Sequence, residues 1–540
     1  MTGTTSFDLR THPWIAVRTD GGVEEVSLLD LFRRAGEIRA IAGEIPTQDV
    51  ALLRLLLVIL HRSLPESFDY PHQRWASLWR APTLPVDDIE AYLDQWADRF
   101  DLLHPQTPFL QVAGLSAAKT SGLVKLIAEV PAGNAYFTTR AGRAVESLSY
   151  AEAARWLVHS QQFDVSGIKT GAFGDDRVKG GRGYPIGTGL AGRLGLIILE
   201  GESLRETLLL NLVLRIEEDY DADRPVWERA PLGPGLEVTH PVPGGPADLM
   251  TWPIRRILLQ HNGSEVTDVL IANGDPIHAR NLHNLEMMSA WRRSANQEKT
   301  YGEPTYMPRQ HDPARKLWRG LDGVLARPVA GGSVRGEAAT ALPAGAVLWL
   351  NVLTERESLP PDVPIRIHAV GMSYGTQDSM IESIYDDALS VRPSVLLSDR
   401  LAGIALAAAE EGEVGVRQLA QFAANLAAAA GREVEGPREK ARLTGFARLD
   451  GRYAAWLAGL ESTTDVAAAQ AEWRRTVATE MTAAGNELLR TVGADALIGR
   501  KVNGKHLDAA LSDLWFRAFL RKNFIALANQ YTERTGAEHG

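Results

Sequence analysis

The stretch GYPIGTGLAGRLGLIILEG, residues 183–201, decides the fold class. It contains G-x-G-x-x-G at Gly187, Gly189 and Gly192, the spacing of a dinucleotide fingerprint. That fingerprint requires a strand before it, a helix opening within it and an acidic residue about twenty positions on. Here the preceding GGRGYPI makes a poor strand, and the following RLGLIILEG alternates and branches like a strand rather than a helix. The order is wrong for a Rossmann crossover. Further on, SLRETLLLNLVLRI reads as a long helix with Ser203 as its N-cap.

Outward from this stretch the chain has three textures. Residues 1 to about 160 begin with a hairpin, WIAVRTDGGVEEVSL, turning at Asp20, Gly21 and Gly22, followed by helices such as DVALLRLLLVILHRSL and AEAARWLVHSQQF. Residues 165 to about 385 are rich in Gly and Pro, with strand-like runs at LGLIILEG, AVLWLNVL and PIRIHAVGMSYG. From about Ser398 four Ala- and Leu-rich segments repeat apolar residues three or four apart, the pattern of an antiparallel four-helix bundle joined by short turns. The expected class is α+β, with an irregular mixed domain over 1–390 and a four-helix bundle over 391–540. Trp456, Trp473 and Trp515 are expected in the bundle core.

Composition narrows the chemistry. The 540 residues include no cysteine, which excludes disulfides, thiolate zinc sites and a cysteine nucleophile. The N-terminus has no basic region followed by an apolar run, and Ala51–Leu60 is too short to span a bilayer and carries Arg54, so a cytoplasmic protein without a membrane partner is expected. A net charge of −10 argues against a surface that coats nucleic acid, but not against a local basic groove.

No reaction centre is visible. GRKVNGKH, residues 499–506, fits G-x-x-x-x-G-K, but His506 stands where the magnesium-binding Ser or Thr belongs. It reads as an interhelical turn whose Lys501 and Lys505 can touch phosphate. His278 and His283 lie five apart, off the same-face helical spacing of a metal pair, and Asp386 and Asp387 read as a helix start. No catalytic residue, metal or cofactor is expected. The competing readings are a nucleotide- or phosphometabolite-binding enzyme using the Gly-rich loop, and a scaffold without DNA contact.

Taken together, HPWIAVRTDGG, FDLLHPQTPFLQV (Phe100–Val112), the Gly-rich loop with SLRETLLLNLVL, GMSYGTQDSMIESI (Gly371–Ile384) and the final bundle resemble the CasA family. That family is the large subunit of the type I-E CRISPR Cascade surveillance complex. The resemblance implies a non-catalytic DNA reader. It recognises the protospacer-adjacent motif in double-stranded DNA, wedges the duplex open to start R-loop formation with the guide RNA, joins the other Cascade subunits and helps recruit a helicase-nuclease.

Carried over residue by residue, the resemblance puts the minor-groove glycine loop on Lys179, Gly180, Gly181, Arg182 and Gly183. Glycines let a backbone approach a groove, and the flanking cations neutralise phosphates. The wedge falls on Thr376, Gln377 and Asp378, although a carboxylate beside phosphates is repelled. The basic finger finds no lysine in PIHARNLHNLEMM and falls on Arg280. Docking to guide RNA or a neighbouring subunit falls on Phe137, Arg140 and Arg143, and guidance of a DNA strand on Lys501, Lys505, Arg521 and Lys522.

Overall fold

The computed structural model describes residues 5–64, 70–130, 140, 145–215, 221–325 and 341–530. The chain divides into two compact units. One comprises 1–314, 326–359 and 366–388; the other comprises 315–325, 360–365 and 389–540.

The first unit opens with the expected hairpin, β1 (Ile15–Thr19) and β2 (Gly22–Val26), paired from Ile15↔Val26 to Thr19↔Gly22. Helix α1 (Pro46–Arg62) is apolar on every side and is buried along most of its length. Its Arg54 survives there because the guanidinium grips Glu286 at 2.8 and 3.0 Å, with both side chains enclosed. Helix α2 (Tyr150–Phe163) packs against α1 and leads to two short antiparallel strands, β3 (Lys169–Thr170) and β4 (Arg182–Gly183).

The stretch after the G-x-G-x-x-G motif is indeed a strand, β5 (Gly195–Glu200). Ser203 caps α3 (Leu204–Asn211) by accepting from the Glu206 N–H, as expected, but the helix stops at Asn211. The Asn211 side chain bonds the backbone of Leu199, which holds α3 to β5 and fixes its end there. Strands β6 (Arg255–His261) and β7 (Val266–Asn273) form a second antiparallel pair.

Two expectations for this region need correction. AVLWLNVL is helical, within α4 (Gly345–Glu355). Its apolar residues satisfy a helical period, with Ala346, Val347, Leu350 and Leu353 buried and Leu348 exposed, and this outweighs the β-branched composition. The segment after GMSYGTQDS is not a helix. Strand β8 (Ile365–Tyr374) is followed by β9 (Ile381–Val391), and the sheet order is β9-β8-β5. Asp386 and Asp387 therefore lie on a strand. Asp386 accepts from His368 at 2.7 Å, and this cross-strand partner had no signal in local sequence.

In the second unit the four helical segments are α5 (Asp399–Ala430), α6 (Glu435–Ala458), α7 (Val466–Arg490) and, after an insertion, α9 (Ala509–Leu520). Alanines along α5 leave room for aromatic side chains. Tyr453 and Trp473 lie against that helix and donate to the carbonyls of Ala405 and Ala408, both at 2.7 Å. The connection between α7 and α9 is no short turn. It holds α8 (Ala494–Ile498) and a hairpin of β10 (Arg500–Val502) and β11 (Lys505–Leu507), because Asn503 and Gly504 both take left-handed φ. Trp473 is buried and Trp456 partly so, but Trp515 is 47% exposed beside Leu514, on the outer side of α9 from buried Phe516.

Candidate nucleic-acid interface

Lys179–Arg182 closes as a two-residue turn. The Lys179 N–H donates to the Arg182 carbonyl at 3.1 Å, and the Arg182 N–H returns the bond at 3.2 Å. Gly180 and Gly181 between them have φ of +57° and +71°, the left-handed pair that a type I′ turn demands. Nothing lies within 4 Å of the Cβ position at either glycine, so the two form a bare ridge of main chain. Lys179 and Arg182 flank it, both exposed, whereas Gly183 is buried in β4 against the Asn273 side chain.

The second tip joins β8 to β9. The Gly375 N–H donates to the Met380 carbonyl at 3.0 Å and the Asp378 N–H to the Gly375 carbonyl at 2.9 Å. Gln377 and Asp378 both take left-handed φ, +58° and +53°, conformations that L-residues adopt only at a cost. Thr376 and Gln377 are exposed. Asp378 leans back. Its carboxylate meets Arg193 at 3.4 Å, and its carbonyl accepts from the Ser166 N–H at 2.8 Å. The repulsion expected of a carboxylate at this tip is thus offset by a cation of the protein's own.

Both tips border one cavity of about 930 Å³, lined by Gly181 and Arg182 on one side and by Gly375, Thr376, Ser379 and Met380 on another. Four cations line it, Lys119, Lys125, Lys169 and Arg182, against two carboxylates, Asp164 and Glu382. This is a local excess of positive charge in a chain of net charge −10. Lys119, Lys125 and Arg182 are exposed and form no ion pair with a described carboxylate. Burial penalises the Asp164 carboxylate, but Lys169 at 2.6 Å and Arg255 at 2.5 Å together hold it below its ordinary range. Burial, with Arg255 and Lys125 nearby, lowers the Lys169 ammonium in turn. His159 on the same wall is pushed down to about 3 by burial and is neutral.

The G-x-G-x-x-G motif belongs to the scaffold. Gly189 and Gly192 are buried, and a Cβ on them would collide with the Gln162 carbonyl and the Tyr374 hydroxyl. The Gly187 carbonyl accepts from Arg255 at 2.7 Å. These glycines let α2, β5 and β8 close together and leave no room for a phosphate, which removes the basis for the nucleotide-enzyme reading.

The remaining expected residues are not among those that line the cavity. Arg280 pairs with Glu303 at 3.2 Å and stacks over Tyr301 at 3.7 Å. Arg140 is held by Glu129 and Glu152 and lies over Trp156; Phe137 and Arg143 fall outside the described residues. In the second unit Lys501 and Lys505 are exposed on the β10–β11 hairpin, and Arg521 and Lys522 are exposed on a π-helical turn after α9. His278 and His283 lie in a loop, and no group of His, Asp and Glu among the described residues could hold a metal ion. No helix among the described residues is long and apolar enough to cross a membrane. Sequence reasoning missed Lys119, Lys125, Lys169 and Arg193. Nothing local marks them, since only folding brings them to the two tips.

The model of the family CRISPR-associated protein Cse1, also called CasA, matches residues 8–484. The chain belongs to the Cse1 family. Cse1 of Thermobifida fusca is 42% identical and superposes with a TM-score of 0.88 over 97% of this chain and 99% of that one. A CasA/Cse1 protein of Thermus thermophilus is 34% identical over 274 residues, 48% of this Cse1-family chain and about half the length of that relative. A chain of a CRISPR RNA-guided surveillance complex shares the fold, with a TM-score of 0.69 at 20% identity.

Proposed function

We propose that this Cse1-family chain is the non-catalytic large subunit of a type I-E Cascade complex. It reads the protospacer-adjacent motif from the minor groove with the Lys179–Gly183 turn and opens the duplex with Gln377. Guide RNA then pairs with the exposed strand, and the subunit helps recruit the helicase-nuclease. The single observation that carries this reading is that the Gly180–Gly181 ridge and the Gln377 tip, both exposed, flank one cavity with an excess of cations. A bare ridge fits a narrow groove, where edges separate A·T from G·C and little more, so several motif sequences should be accepted. Driving a side chain into the stack costs a few kcal/mol, which phosphate contacts repay. Lys501, Lys505, Arg521 and Lys522 serve as weaker strand guides, and Arg280 as the finger only if it leaves Glu303.

The test uses the chain assembled with guide RNA and the other subunits. Gln377→Ala should slow strand opening, followed by permanganate reactivity of unpaired thymines, more than it weakens initial docking. Gly181→Val should abolish discrimination between motif and non-motif duplexes. Wild-type behaviour of both variants would overturn the reading.

A further inference from the structure

If Gln377 enters a base stack, the base it displaces must leave the helix, and the surface beside the tip decides where that base goes. We infer that the cavity between the glycine turn and the wedge tip receives this unpaired nucleotide, with its base against the apolar wall and its phosphate against Lys125 and Arg182. The inference rests on the duplex-opening reading.

Shape is the first argument. Paired DNA is contacted by the two protruding tips, whereas the space between them is concave. At about 930 Å³ it lies within the range of roughly 300–1,000 Å³ typical of small-molecule sites, ample for one nucleotide. A paired base has no access to such a recess; an extruded one does.

Chemistry is the second. Val124 and Ile168, 36% and 57% exposed, line the cavity with half-buried Met380, beside the exposed Lys119, Lys125 and Arg182. Exposed apolar surface next to cations that form no ion pair among the described residues suits a ligand that carries both a flat ring and a phosphate. Ser121 accepts from the Ile271 N–H at 2.9 Å and bonds the Thr170 hydroxyl at 2.9 Å, which leaves Thr170 on the same wall with hydrogen-bonding capacity for a base edge. Ser160, also on the lining, is 3% exposed and its hydroxyl has no partner among the described residues. The cavity's charge excess distinguishes it from an ordinary apolar groove, and its recess distinguishes it from a duplex track.

The experiment compares two target duplexes in the assembled complex. Both carry a mismatch at the first pair beside the motif, so opening is already achieved. One retains the displaced base and the other has an abasic site there. Base stacking on protein is worth about 1–3 kcal/mol, so the abasic duplex should bind roughly 5-fold or more weakly. Ile168→Trp fills the mouth and Lys125→Glu reverses its charge. Both positions are exposed, so both variants should fold, and each should weaken binding of the base-bearing duplex and shrink the difference. Equal affinities in the wild type, with Gln377→Ala still slowing opening, would put the displaced base in solvent: the inference falls and the opening reading stands. If Gln377→Ala and Gly181→Val also change nothing, both fall. Free dAMP or TMP binding without DNA as tightly as the base-bearing duplex would assign the cavity to a soluble nucleotide and overturn the inference.

Discussion

The backbone N–H of Ser166 donates to the carbonyl of Asp378 at 2.8 Å, pinning the tip that carries Gln377 to the loop leaving α2. The Arg193–Asp378 pair at 3.4 Å adds a second tether, but both side chains are about two-fifths exposed, so it contributes under about 1 kcal/mol. Arg193→Ala should therefore leave thermal stability nearly unchanged and lower duplex opening a few-fold. Ser166→Pro, which removes the donor, should lower opening more than Arg193→Ala does. Stopped-flow fluorescence of a 2-aminopurine beside the motif checks the order.

At Gln377 stability and function should separate. Its φ of +58° suits glycine, so Gln377→Gly should stabilise the chain by about 1 kcal/mol in urea unfolding while abolishing the wedge. A variant both more stable and fully able to open DNA would show that the side chain is dispensable.

The glycine turn makes a paired prediction. Gly181→Val puts a β-branched residue at φ +71° and should distort the turn, with loss of motif discrimination. Gly181→Asn tolerates that φ and keeps the turn, so competition binding should show only a partial loss. Equal losses would mean that the missing Cβ matters and the turn geometry does not.

His368 couples stability to pH. Both ring nitrogens are bonded, to Glu200 and Asp386 at 2.7 Å, and Arg366 and Asp49 complete its charged surroundings. Burial disfavours the imidazolium, but the two carboxylates outweigh burial and raise its pKa above the ordinary 6.5. A raised folded value means that this stabilisation is complete below about pH 6.5 and fades as pH rises through the folded pKa. Burial pushes Asp49 up to about 7, so its proton also favours the fold at low pH, and that contribution is lost between about pH 4 and 7. The urea midpoint should fall from pH 6 to 8, and His368→Gln should flatten that fall. Asp49→Asn should raise stability at pH 8 by about 1–3 kcal/mol, since the amide still accepts from the Gly43 N–H.

The enclosed Arg54–Glu286 pair should resist single substitution. Arg54→Met strands a buried carboxylate and should cost about 3–5 kcal/mol, and adding Glu286→Gln should recover part of the loss. Chemical denaturation of the full chain measures both.

Local pattern carried far in this chain. The period of 3.6 along 401–431 and 466–490 announces the bundle, Ser203 announces its cap, and the alternation after Gly192 excludes a Rossmann crossover. These features are written within a turn or two of backbone, where hydrogen bonding and side-chain spacing are set by neighbours in sequence. Gly180–Gly181 and Gly375 mark turns for a similar reason, since turn chemistry is local, but the roles given to the glycine pair and to Gln377 came only from the resemblance to the CasA family. Where composition and period disagreed, as in AVLWLNVL, or where a strand depended on its partner, as in β9, local reading failed.

The cavity was not legible at all. Lys119, Lys125, Lys169 and Arg182 are spread over sixty-odd positions, and their shared wall exists only because β3 pairs with β4 beside β7. Trp515 points outward for the mirror-image reason: period places it on α9, but only the packing of neighbouring helices determines which side of α9 is covered. Electrostatic fields and burial sum over distance in space, and a linear sequence does not contain those distances.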